Sequence, residues 1–315
     1  MRSMLNHSPA AAALGCLAVF AMAGCSANGS PTPATPPATQ PQARGVAFGP
    51  GWLQKDGILY RVPHYMATRG KAHGLTSGIK YGGGPVEVKP KVFLIFWGYT
   101  KYGDPDQVKP LLETYIGNMG GSGHNNIYTQ YYEIVKHKTI YIKNPASQYG
   151  GAWEDNAPVP KAPTDSQVAA EALKGVAHFG YNADASYVVA TPHGRSTPGF
   201  GTQFCASHST TSSHGKFVAY TNLPYIPDAG TACGANYLSP PSDESGTDEG
   251  VTIVEGQMQG DSVTDPDPPT GWQFGSGDMN DACAWVDLAN DPFGSYSYTM
   301  QPMFSNASQS CVQSY

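Results

Sequence analysis

The stretch 247–285, TDEGVTIVEGQMQGDSVTDPDPPTGWQFGSGDMNDACAW, constrains the fold of this 315-residue chain more than any other. Its first half carries the marks of a helix. Thr247 or Asp248 can accept from the free N–H groups of a first turn, and Asp248 and Glu249 set negative charge at the positive end of the dipole. Val251, Val254 and Met258 recur at helical spacing, and Pro266 ends the run. Gln257 and Asp261 stand four apart and share a face with Ile253. An acidic turn follows with Asp265 and Asp267, then Gly271 and Trp272, then Asp278 and Asp281 just ahead of Cys283.

Charged residues make up only 13% of the chain, while Gly (37), Pro (27) and Tyr (19) are abundant, so the fold is expected to be loop-rich. A formal net charge of −6 without a basic cluster argues against nucleic-acid partners. The apolar run 10–23 behind Arg2 is too short to span a membrane and reads as an export signal over 1–24. It ends Met22-Ala23-Gly24-Cys25, a lipoprotein-type box with Cys25 as the lipid attachment residue. An ordinary secretory cleavage nearby is the alternative. The Pro/Thr/Ala-rich, uncharged segment 25–43 reads as a tether between a lipid anchor and a folded domain. The expected location is the cell envelope, facing the periplasm or the surface.

Four cysteines remain beyond the signal: Cys205, Cys233, Cys283 and Cys311. In an exported chain they imply two disulfides with three possible pairings. Cys205–Cys233 with Cys283–Cys311 is preferred, because each pair closes a short, turn-rich loop.

Segment 44–80 is expected to wrap the body of an α/β domain that occupies 81–315. Within that domain 91–97 is the clearest buried strand, and 58–62, 138–143, 185–190, 217–220 and 296–300 are further strands. Helices are expected from Asp104 or Asp106 to Gly120, over 126–135, and over 166–179 capped by Asp165. Residues 148–163 read as a loop, and His208 and His214 as flanking a Ser/Thr-rich loop. The order suits a single mixed-sheet α/β (α+β) domain.

The helix with its following acidic loop resembles the active-site helix of zincin-type metallopeptidases. There two histidines four apart hold zinc beside a glutamate base. Gly82-Gly83-Gly84-Pro85, Phe96-Trp97-Gly98, Phe204-Cys205-Ala206-Ser207-His208, Thr264-Asp265-Pro266 and Asp281-Ala282-Cys283-Ala284-Trp285 together resemble a bacterial secreted family. That family is distantly similar to the plant phosphate-induced, exordium-like proteins, and the likeness runs from about Tyr81 to the C-terminus. It implies zincin-like topology and an extracellular role. Where some bacterial members carry His-Glu and a further Glu, this chain has Gln257, Met258 and Asp261, with the later acid at Asp278 or Asp281. Glutamine is a poor zinc ligand, and methionine cannot take a proton.

The leading expectation is therefore a non-catalytic, degenerate metallopeptidase-like binding protein for an extracellular peptide or glycan, attached to the membrane through its N-terminal lipid. The alternative is a peptidase-like hydrolase using Asp261, Asp281 and Asp278, with or without metal. Asp261 and Asp281 are the candidate metal ligands, an all-oxygen set that suits calcium better than zinc, with no metal as the leading expectation. Asp265 and Asp267 offer a separate surface calcium loop. His193, His208 and His214 show no ligand spacing with one another.

Overall fold

Strand Lys91–Trp97 sends its side chains alternately to two buried faces, as an interior strand of the main sheet does. Val92, Leu94 and Phe96 enter one apolar cluster. Ile95 and Trp97 enter another, with Phe93 packed against it. A continuous apolar run buried on both faces is what a parallel strand between two helical layers requires.

The computed structural model describes residues 51–70 and 78–315. The export signal, Cys25 and the tether lie outside these residues. The main sheet is built from β1 (Trp52–Lys55), β2 (Ile58–Arg61), β3 (His64–Ala67), β4 (Lys91–Trp97), β5 (Tyr149–Asp155), β6 (Ala185–Ala190), β7 (Phe204–Ser213) and β8 (Lys216–Leu223). Its order is β1-β2-β7-β8-β6-β4-β5, and β3 pairs with β7. Strands β8, β6, β4 and β5 run parallel; β7 is antiparallel to β8, β2 and β3. Helix α1 (Val108–Met119) and helix α3 (Glu249–Thr264) contribute to the first cluster, and α2 (Asp165–Phe179) to the second. The architecture is a mixed α/β sandwich. Small hairpins follow α3 and close a third apolar cluster around Trp272, Tyr131 and Phe304.

Several expectations need correction. The segment expected to wrap the body supplies β1, β2 and β3 of the sheet itself. The expected loop over 148–163 contains β5, an edge strand whose Gly150 and Gly151 hid it from propensity. Residues 126–135 are not one helix. A helical turn at Ile127–Gln130 gives way to strand Tyr132–Val135, paired with Lys138–Tyr141. Lys136 and His137 both adopt positive φ, as a two-residue hairpin turn demands. The segment holding His208 is not a loop but the ten-residue strand β7, buried from Phe204 to Thr211. Its Ser and Thr residues read as loop chemistry, yet Ser209, Thr210 and Thr211 donate their hydroxyls to Arg61 O, Pro266 O and Leu59 O. Thr164, rather than Asp165, caps α2, in a box with Gln167. Cys205–Cys233 and Cys283–Cys311 are both bonded, and each closes a loop of 28 residues' separation.

All sixteen residues of α3 are buried, so its polar side chains must find partners inside the protein. Thr252 donates to Glu244 and Ser262 to Glu87. Glu255 finds none, and both its carboxylate oxygens are buried without a hydrogen bond. Burial pushes its carboxyl up to about 8. The folded chain then holds a proton here from the ordinary carboxylate value up to about pH 8, where the unfolded chain has released it. Stability is therefore lost as pH rises through that interval. Glu255→Gln removes this dependence. Its melting temperature relative to wild type should climb steadily between pH 5 and pH 8.5, and a flat difference in calorimetry would contradict the assignment.

Candidate metal centre

Strand register brings together two histidines that lie 144 positions apart in the sequence. His64 on β3 is the direct cross-strand partner of His208 on β7, and their rings meet edge to face at 5.8 Å. Opposite them stands Asp278, presented by the loop after α3. His64 Nδ1 lies 3.0 Å from Asp278 Oδ1 and 3.1 Å from Oδ2. His208 Nε2 lies 3.0 Å from Oδ2. One ligand atom from each residue falls within 4.8 Å of the others, and among the described residues this is the cluster with such spacing.

The two histidines differ in an informative way. His64 completes a hydrogen bond to Asp278, and its side chain is 16% exposed. His208 is fully buried, and neither of its ring nitrogens completes a hydrogen bond despite the 3.0 Å approach. The distance suffices, but the angle does not. The Nδ1 of His208 has no hydrogen-bond partner at all, and its Nε2 has only the charge of Asp278 beside it. A cation between the two rings and the carboxylate would use the lone pair of Nε2. Tetrahedral zinc with bonds near 2.0–2.2 Å sets its ligand atoms roughly 3.3–3.6 Å apart, so the two nitrogens, now 3.0–3.1 Å from Asp278, would move outward slightly to admit an ion. Two imidazoles and a carboxylate suit zinc better than calcium, which takes oxygen donors.

The loop carrying Asp278 is held against α3 by a close backbone approach. A Cβ at Gly260 would fall on the Asn280 amide. Because it is absent, Asn280 Nδ2 donates to Gln257 O and Asn280 N to Asp261 Oδ1. Gln257, the residue in the ligand slot of the resembled helix, is fully buried and acts as a relay. It accepts from Gln301 Nε2 and donates to Asp281 Oδ1 at 3.0 Å, while Asp281 Oδ2 accepts from Asp278 N. Met258 is a core residue.

The acids singled out from the sequence do gather here. Asp278 is the member placed to ligate, while Asp261 and Asp281 lie behind it in hydrogen bonds. Burial, then the negative charges of Asp278 and Asp281, holds the Asp261 carboxyl well above its ordinary range. Burial, then Asp278, does the same for Asp281. Burial acts upward on Asp278 too, but His208 and His64 together hold it below the usual carboxylate range. His64 is raised: burial acts downward, and its bond to Asp278 outweighs that.

Asp265 and Asp267 form no surface calcium loop, because both are buried. Asp265 Oδ1 accepts from Thr270 N and Gly271 N, and Asp267 is clamped by Arg61 at 2.9 and 3.0 Å. His193 bonds Asp228 at 2.5 Å on an exposed loop, and His214 contacts Ser213 on a turn; neither joins the centre. Sequence reasoning missed His64 altogether. Its only signal would have been the pairing of β3 with β7, and no local spacing carries that.

Compared with known protein-family models, curated proteins and solved structures, the chain matches none. Among the described residues no helix is long and apolar enough to cross a membrane, and two disulfides fit an oxidising compartment.

Zinc supplied at about a hundred times its dissociation constant should stabilise the full chain by about 2.7 kcal/mol in thermal unfolding. His208→Ala should abolish that rise, and His193→Ala should keep it. Equal responses in all three proteins would contradict a centre at β3 and β7.

Proposed function

We propose that this is an exported zinc-dependent hydrolase of the peptidase-like class, with its ion held by His64, His208 and Asp278. The observation that carries the reading is the pair of imidazoles converging with one carboxylate, while His208 Nε2 is left without a hydrogen bond. Three protein ligands with a fourth position open to water are the pattern of catalytic zinc, whereas structural sites use four. Zinc so held would lower the pKa of a bound water towards neutrality and polarise a substrate carbonyl. Asp278 would hold charge opposite the two rings. Asp281, behind it and fixed by Gln257, keeps the loop that presents Asp278 in register.

The loss of His-Glu at 257 and 258 argued for a non-catalytic protein only while the metal was sought on α3 itself. A centre supported by β3 and β7 does not need those positions. A purely structural ion is the second reading, favoured by the burial of His208 and Asp278 at 0% and 2% exposure. Export and lipid attachment at Cys25 remain part of the proposal, and the substrate class is an extracellular peptide.

Elemental analysis and a peptide-library digest of the zinc-loaded full chain separate these readings. About one zinc per chain with cleavage lost in His64→Ala and Asp278→Asn is the expected result. One zinc without cleavage of any peptide would replace the hydrolase with the structural reading, and no zinc would remove both.

A further inference from the structure

At the other end of α3, about 20 Å from Asp261 along the helix axis, lies a cavity of about 300 Å³ that the metal centre does not use. Four of its lining residues are acids: Asp106 ahead of α1, Asp243 and Glu244 in the loop before α3, and Asp248 at the N-cap of α3. None of its lining residues is Lys, Arg or His. Tyr296 and Tyr298 form one wall, with nearly parallel rings 6.1 Å apart.

Two buried polar atoms of this lining have no hydrogen bond. Asp248 is 7% exposed, and its Oδ1 makes no hydrogen bond; Tyr298 is 2% exposed, and its hydroxyl makes none. Glu244 differs, since Ser242, Thr252 and Thr299 N all donate to it. Asp243 accepts from Ser297 N. Burial, then the charges of Asp106 and Asp104, pushes the Asp248 carboxyl up to about 6, as expected for negative charge gathered without a counter-ion.

We propose that this cavity binds an organic ammonium group, of the kind carried by a lysine side chain in a peptide. A carboxylate with one buried oxygen left without a hydrogen bond, further acids on separate elements and a tyrosine face together favour charge, hydrogen-bonding and cation–π attraction. A bare divalent ion fits less well. Calcium demands six to eight oxygens at about 2.3–2.6 Å, whereas this space is large, is lined in part by Tyr296, Tyr298, Pro110 and Leu111, and Glu244 already spends its lone pairs on internal donors. The site is independent of the metal centre and stands whether or not that centre binds zinc.

The test is calorimetric titration of the full chain at neutral pH and low salt. The probes are Nα-acetyl-lysine methylamide, the neutral Nα-acetyl-norleucine methylamide, and calcium chloride. The lysine probe should bind one to one, and the norleucine probe should not bind. Asp248→Asn and Asp106→Asn should each weaken the lysine probe by roughly five- to tenfold. Asp106 lies outside α3, so its variant keeps the test sound if loss of the N-cap residue disturbs folding. Equal binding of both organic probes, unchanged affinity in Asp106→Asn, or binding of calcium alone would each overturn the proposal.

Discussion

The burial of α3 on every side is the constraint from which most of the structure follows. A helix with sixteen buried residues that include Glu, Gln, Asp, Ser and Thr cannot be closed over by an apolar shell. The surrounding loops must come in bearing hydrogen-bond partners. Glu244 and Thr299 meet its N-terminal half, Asn280 and Gln301 its middle, and Glu87 its C-terminal half. Small residues allow the approach. A Cβ at Gly250 would strike the Cys233 carbonyl, and one at Gly260 the Asn280 amide. The disulfides add to this arrangement, since Cys233 lies against the start of α3 and Cys283 in the loop beyond it.

The candidate metal centre is a consequence of two such placements meeting. One half is set by β-pairing: the register that opposes His64 to His208 also pairs Tyr65 with Ser207 and Met66 with Ala206. The other half is set by the turn at Met279–Cys283, whose Asn280 bonds the Gln257 carbonyl and the Asp261 carboxylate of α3. This is how a protein can hold a converging set of donors although the positions first suspected, Gln257 and Met258, carry no ligand chemistry.

What could be read from the sequence followed locality. The strand 91–97, the helix of 247–264 and the preferred cysteine pairing all rest on short-range patterns, and all three are present. The acids Asp261, Asp278 and Asp281 were within reach for the same reason, since one helix and one loop carry them. The order of importance was not legible. It depends on which carboxylate faces β3 and β7, and β7 itself was hidden by Ser and Thr residues whose hydroxyls bond neighbouring backbone carbonyls rather than water. His64 could not be found by spacing, because its partner comes from a strand that joins it only through the sheet.

Zinc K-edge X-ray absorption of the zinc-loaded full chain tests the central claim most directly. The account predicts a first shell of four nitrogen and oxygen atoms at about 2.0–2.1 Å, with outer-shell scattering from two imidazole rings that falls to one ring in His208→Ala. A shell of oxygens without imidazole scattering, or a spectrum unchanged by that substitution, would contradict it.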